Sequence, residues 1–407
     1  MDELGGQARI KLSSPAGLLA AVPNMLGFHP TDSLVLMCMT GDRNALGPVA
    51  RVDLPRGRDR GLVEQLTGTA LTHADRVAVV CYPSRRRRPA ILNDLLDELT
   101  YAGIGVLAAL VVHAGRVWDA PTPGPLREAD SQPVPDQQHP AVRALAAVNA
   151  LTGRVVLADR AELRASIAGP RGDRRRRAAH AVTSVIRGRP TDLPDVDPPP
   201  PTRATGRDGV SRPVRPALPE RVDRLVDCAL AQVSAGGVVD VRIAVELAIA
   251  CLDRQVRDGV LVRGLFALDR IWLAMLISCA AWTTDDLAPG ICAVLAALAY
   301  RHGDGGLAQV SVDRCLAAEP DNRLTHLLLA TMAAGLPPDA LDQMLVASDD
   351  EELDGFDLDD IGLDGFDLES LHLGSLDLHG PGLLEPSADV GGDHAFGSGE
   401  DDDDAVA

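Results

Sequence analysis

The heptapeptide GFHPTDS places His29, Asp32 and Ser33 together just ahead of an apolar run. A hydroxyl, a base and an orienting acid in contact are what nucleophilic catalysis requires. Residues so close in one loop rarely align in that order, and Asp32 or Ser33 closing an Asx-type turn is the simpler reading. Asp53 follows the stretch VARV, where a carboxylate could meet a metal or a ribose. The chain has neither GxxxxGK(S/T) nor GxGxxG, so the glycine-rich cradle of a nucleotide site is missing from the sequence.

Arg85, Arg86, Arg87 and Arg88 sit between a short apolar run ending at Tyr82 and a helical pattern starting near Pro89. Backbone N–H groups at a helix start, joined by arginines, could hold an anion; a solvated basic loop is the plainer alternative. A second run, Arg174 to Arg177, heads another helical pattern, where positive charge opposes the helix dipole and an external anion would rationalise it.

The ten histidines make no HExxH, no HxH and no zinc-like spacing with cysteine, so no metal site and no cofactor are expected. Seven cysteines (Cys38, Cys81, Cys228, Cys251, Cys279, Cys292, Cys315) stand singly among apolar neighbours and read as buried free thiols. Asp350, Glu352, Asp354 and Gly355 mimic the start of a calcium loop, but its twelfth position is Ile361, without the bidentate glutamate.

The elements that must position these groups follow from periodicity. Ser14 and Pro15 open a short helix that Pro23 should end or kink. SLVLMCMT (33–40) and PVARVDLP (48–55) read as a hairpin joined by GDRNALG. A helix around Leu62–Leu71, a strand at 76–83, a helix from Pro89 and a strand at 104–112 follow, then a turn at HAGRVWD. Helices alternating with fully apolar strands imply a mixed α/β sheet sandwiched by helices. A Pro-rich loop (121–140) and three helical stretches complete this N-terminal domain, placed at 9–188.

Residues 189–219, with PPPP at 198–201, read as a Pro/Arg-rich linker. Val222, Leu225, Val226, Ala229, Leu230 and Val233 then open an all-α domain at 220–345, with helices at 239–257, 265–282, 288–302, 306–318 and 322–335, and no strand-like alternation after 220. The remainder, 346–407, is an acidic tail expected to be disordered. It holds the ten-residue repeat ELDGFDLDDI (352–361) and GLDGFDLESL (362–371), with a weaker third copy, HLGSLDLHGP.

The 407 residues suit two to three domains. Aromatic residues are only 3% of the chain, so the core must be aliphatic. Lys11 is the lone lysine beside 38 arginines, a skew read as genomic base composition. The net charge of −19 belongs to the tail: Val346 onward carries 20 acids and no Lys or Arg, which leaves the body at +1. That balance, with so few aromatics, argues against nucleic acid as a partner. The first residues lack the pattern of a signal peptide, and the longest apolar run, 271–282, is too short to span a bilayer, so no membrane partner and a cytoplasmic location are expected.

SSPAGLLAAVPNMLGFHPTDSLVLMCM, RVDLP, HAGRVW, LTGRVVLADRAELR and RHGDGGLAQVSVDRCLAAEPDNRLTHLL resemble an actinobacterial family catalogued as domain of unknown function 4192. The resemblance covers 9–338 apart from the linker and brings no activity with it. It implies a cysteine cluster after the HAGRVW turn, which is missing here from PTPGPLREADSQPVP. Residues 289–322 also resemble one tetratricopeptide unit, through Leu295, Gly303, Asp304, Ala308, Leu316 and Pro320. The reading that follows is a non-catalytic binding or protein-interaction module with an unidentified protein partner. Its alternative is an enzyme or small-anion or nucleotide-binding protein with a site at His29, Asp32, Ser33, Asp53 and Arg85–Arg88. The tail is further expected to contact the arginine clusters in cis.

Overall fold

The computed structural model describes residues 14–41, 44–189, 191–194, 204–205, 211–212, 218–267, 269–336, 338 and 376–379. Most of the expected linker and tail, including the calcium-like loop, lies outside them. Helix α1 (Pro15–Leu26) begins where Ser14 Oγ accepts the Gly17 N–H at 3.1 Å. It runs through Pro23 and ends at Gly27, whose φ of 78° suits a residue without Cβ. The amide that Pro23 removes is outweighed by burial of Gly17–Val22, Met25 and Leu26.

Strands β1 (Ser33–Thr40) and β2 (Ala45–Asp53) form the expected hairpin, with Ser33 opposite Asp53 and a register shift between Met37 and Met39. After α2 (Arg60–His73), β3 (Arg76–Tyr82) runs antiparallel to β1 on its other side. Helix α3 (Ala90–Tyr101) crosses to β4 (Gly105–His113), which is parallel to β3. The HAGRVWD segment is more than a turn. Ala114 and Gly115, with φ of 47° and 73°, form a two-residue hairpin loop into β5 (Arg116–Asp119). The Pro-rich loop likewise contains β6 (Ser131–Pro133), tolerated because Pro133 lies in an outer strand.

The sheet order is β6-β5-β4-β3-β1-β2. Ser33 to Met39 are buried without a break, which requires a layer on each face. Helices α2 and α3 form one layer, α2 against β1 and β2, α3 against β4. The apolar contacts of the sheet run on without interruption into the helical region.

Helices α4 (Pro140–Thr152), α5 (Arg160–Ser166) and α6 (Gly172–Ile186) precede a two-residue pair, β7 (Ala204–Thr205) and β8 (Ser211–Arg212). The helical region then holds α7 (Glu220–Ser234), α8 (Val241–Ala250), α9 (Arg254–Ala267), α10 (Ile271–Trp282), α11 (Ala288–Arg301), α12 (Gly305–Ala318) and α13 (Arg323–Ala333). The single helix expected over 239–257 is divided because Asp253 accepts the Val256 N–H at 3.1 Å and starts a new turn. Residues 376–379 form β9 (Leu376–His379), antiparallel to β2 on its outer edge, so strand structure does occur after residue 220.

Helix α11 is buried from Ala288 to Tyr300 and has no polar face, which makes it the centre of the helical region. Two glycines let backbones touch around it. A Cβ on Gly290 would lie 2.1 Å from the Cys251 carbonyl oxygen, and one on Gly306 would lie 2.3 Å from that of Leu26. The second contact joins α12 directly to α1, and α6 packs against α8, so the sheet and helical regions interlock. The described start of the expected linker is held too: Thr191 N–H donates to Glu246 Oε2 at 3.0 Å and Arg221 donates to the Thr191 carbonyl at 2.8 Å. Burial alone would raise the Glu246 pKa; the bonds from Arg221 and Thr191 outweigh it and hold the carboxyl below its ordinary value.

Candidate functional site

The strand register gathers the sequence candidates at one end of the sheet. Ser33 opens β1 opposite both Asp53 at the end of β2 and Tyr82 at the end of β3, and the parallel strand β4 ends beside β3. Loops carrying His29, Asp32 and Arg85–Arg88 therefore meet where an α/β sheet commonly binds ligands, at the carboxyl ends of parallel strands.

At this end Ser33 is fully buried. Its hydroxyl donates to the Thr31 carbonyl at 2.7 Å and accepts from Arg51 Nε at 2.9 Å and Nη2 at 2.6 Å. Arg51, 3% exposed, also pairs with Asp53 at 2.6 Å. Asp53 in turn faces Arg160 at 3.9 Å, and Asp313 pairs with Arg160 at 3.5 Å and Arg164 at 3.3 Å. A continuous line of alternating charge thus runs from the sheet end to α12.

Asp32 adopts a left-handed φ of 43°, which aspartate tolerates better than most residues. Its carboxylate accepts the Ser84 N–H at 2.8 Å and its carbonyl accepts the Leu54 N–H at 2.8 Å, so it fastens two neighbouring loops. His29 is exposed, and its backbone N–H donates to the Leu157 carbonyl. The protein partners of the Ser33 hydroxyl are Thr31 and Arg51, so the structure brings Asp32, Ser33 and Asp53 to one place without aligning a nucleophile on His29.

The four arginines divide. Arg85, Arg86 and Arg87 are exposed, and Arg86 pairs with Glu128 at 3.0 Å. Arg88 turns inward and donates to Asn93 and to the Ala120 carbonyl, and burial lowers its pKa. The first turn of α3 behind them has no side-chain cap, since Pro89 stands at the N-cap position. His113, at the end of β4, places Nδ1 3.0 Å from the Pro83 carbonyl and closes the loop from behind.

Sequence reasoning missed Arg51, Arg160, Asp313 and His113. Arg51 had a signal, a lone cation within the apolar stretch PVARVD. Arg160 and Asp313 had none, because their partners are remote in the chain.

A second concave region, a cavity of about 600 Å³, lies between the α5–α6 loop and α12. Arg171 and Arg175 line it together with Asp285 and Asp313. Arg314 is engaged there by the Ala280 carbonyl at 2.8 Å, the Thr283 carbonyl at 2.6 Å and Asp285 at 3.2 Å. Arg164 pairs with Asp313 and Arg314 with Asp285, so cations and anions in this cavity partly offset one another.

All seven cysteines are buried free thiols, and desolvation pushes Cys38, Cys81, Cys251 and Cys292 up to about 12, far from a thiolate nucleophile. No group of three His, Cys, Asp or Glu residues converges among the described residues, and no helix among them is long and apolar enough to cross a membrane. Residues 15–339 match the family model described as Domain of unknown function (DUF4192), and the chain belongs to that family. No curated protein and no solved structure matches it.

Proposed function

We propose that the chain is a non-catalytic binding module whose sheet end receives an anionic segment of a protein partner. The observation that carries this reading is the division of labour at that end. Ser33, Arg51, Asp53 and Asp32 are held by one another and by backbone, whereas Arg85, Arg86 and Arg87 project into solvent ahead of α3. Fixed cations on a braced loop suit recognition of carboxylates. A hydroxyl whose proton and lone pairs are already engaged suits acyl transfer poorly.

A second reading is favoured by the uncapped first turn of α3. Its N–H groups, without a side-chain cap and beside Arg85–Arg88, suit a small anion or a nucleotide phosphate, with His29, Asp32, Ser33 and Asp53 bordering the site. In both readings the chain is taken as three parts, 9–188, 189–219 and 220–345, and the α11–α12 hairpin is the tetratricopeptide-like unit, with α11 packed inside the helical region rather than open to a partner. The acidic tail, 346–407, would compete in cis for the arginines at low salt.

The test is titration of the full chain with a short polyaspartate peptide, with inorganic pyrophosphate and with ADP, each at low and at physiological salt. Peptide binding that R85A/R86A/R87A abolishes supports the protein-partner reading. Tighter binding of pyrophosphate or ADP than of peptide moves the conclusion to the small-anion reading. Binding of every probe unchanged by the triple substitution overturns both.

A further inference from the structure

Among the strands that the N-terminal region contributes to the sheet, β6 lies at one end of the order and β2 at the other. On the outer side of β2 the stretch Val49–Val52 would present a row of unpaired N–H and C=O groups next to buried apolar residues, the setting in which open edges recruit foreign strands. In this protein β9 lies there: Val52 stands opposite Leu376, Arg51 opposite Asp377, Ala50 opposite Leu378 and Val49 opposite His379. Strand β9 also lies beside α12 and α13.

Three further facts bear on that edge. The chain leaves α13 next to it: Gly335 abuts His73 and shares a cavity of about 410 Å³ with Gly47 and Pro48 of β2. The tail is therefore rooted at one end of the slot it enters. The paired triplet Leu376-Asp377-Leu378 also recurs at ten-residue intervals, as Phe366-Asp367-Leu368 and Phe356-Asp357-Leu358. Each copy places an acid between two apolar residues, so each can take the same register, with aspartate at the position facing Arg51. Finally, the charges are complementary: β2 contributes a buried arginine at the centre of the slot, and Val346 onward contains no Lys or Arg.

We infer that the outer edge of β2 is a strand-addition site for an apolar-Asp-apolar triplet, filled in cis by the three tail repeats in exchange with one another. Backbone hydrogen bonds supply the attraction, and the alternation sets the register. The first repeat lies 19 residues and the third 39 residues beyond residue 338, and random-coil segments of those lengths span roughly 25 Å and 35 Å, so the separation in sequence lets every copy arrive at an edge beside the root. Three equivalent segments competing for one tethered site raise its occupancy without raising the affinity of any one copy. The site covers an edge that would otherwise promote association. This inference is independent of Arg85–Arg87.

Hydrogen exchange on the full chain tests it, read at the peptide containing Val49–Val52 with the fully buried Val79 of β3 as the folding control. D377P should leave most of the β2 protection, because the other copies replace the third. D357P/D367P/D377P should speed β2 exchange on the order of tenfold while β3 stays unchanged. Added GFDLES peptide should restore protection to the triple variant saturably. If proline disturbs β3, D357G/D367G/D377G is read in the same way. Unchanged β2 protection in the triple variant overturns the proposal. A D377P effect equal to that of the triple variant overturns the exchange of copies. Wild-type protection that falls on dilution, with dimers by mass, shows that a second copy fills the edge and overturns the cis assignment.

Discussion

Arg85–Arg88 leave the end of β3 as a loop, whereas the same four residues at Arg174–Arg177 occupy the first two turns of α6. In the loop three side chains face water and the fourth reaches back to bind the Ala120 carbonyl. On the helix successive residues point about 100° apart, so Arg174, Arg175 and Arg176 meet different neighbours, although all four side chains of the run stay exposed. Arg174 lies 4.3 Å above the Trp282 ring, Arg175 borders the cavity beside α12, and Arg176 pairs with Asp173. The ring and the acid supply, at the surface of the same chain, part of what the sequence reading sought from an external anion. An arginine run is thus no site in itself. Its backbone decides whether the side chains gather on one loop or spread around a helix toward different neighbours.

The contrast can be broken or sharpened by substitution. The largest effect is expected from Arg88→Ala, which removes charge-assisted bonds to Ala120 and Asn93 and should cost about 2 kcal/mol in urea unfolding. Arg88→Lys should not restore it, because a point charge cannot serve both acceptors in the same fork. A variant as stable as wild type would mean that Arg88 behaves like its three exposed neighbours.

Next in size is the effect of burying a histidine beside two arginines. His302 is pushed down to about 4, first by burial and then by Arg270 and Arg301. Its unfolded value is near the ordinary 6.5, so the unfolded chain binds the extra proton between these limits. Stability from this group is complete above pH 6.5 and is lost as pH falls toward 4. Discounted for its partial exposure, the loss is about 1 kcal/mol. His302→Gln should flatten that part of the pH profile; an equally steep profile would place the acid sensitivity elsewhere.

Arg174→Ala should cost less, about 0.5–1 kcal/mol, the range of an exposed cation–π contact. A cost above that of Arg88→Ala would invert the comparison. The smallest effect on stability belongs to R85A/R86A/R87A, within about 0.5 kcal/mol. A larger loss in urea unfolding would show these arginines to be structural.

Legibility followed the range of each interaction. The hairpin of β1 and β2, α7 and the α11–α12 pair rest on local periodicity and turn residues, and their positions were readable to within a few residues. Strands β5 and β6 were missed because a short strand beside proline carries too little alternation to register. Asp32 and Asp53 were recognisable as chemical groups, but their engagement was not. Asp32 is held by Ser84 and Asp53 faces Arg160, and such pairings are created by the register of the sheet and the docking of α5. The division of Arg85–Arg88 was hidden for the same reason: the group that selects Arg88 is Ala120, beyond a helix and two strands.

The contact between Gly306 and Leu26 has a consequence for synthesis. About 280 residues separate its two sides, so α1 and the sheet leave the ribosome before their seat on α12 exists. At roughly 5–20 residues per second that interval is on the order of 15–55 s. Throughout it Leu26 and Phe28, both buried in the finished protein, lack the surface that covers them. The nascent chain therefore passes through a prolonged stage in which its sheet is half clothed, and its yield in a cell should depend on translation speed near residue 306 and on the chaperone capacity available to wait for it.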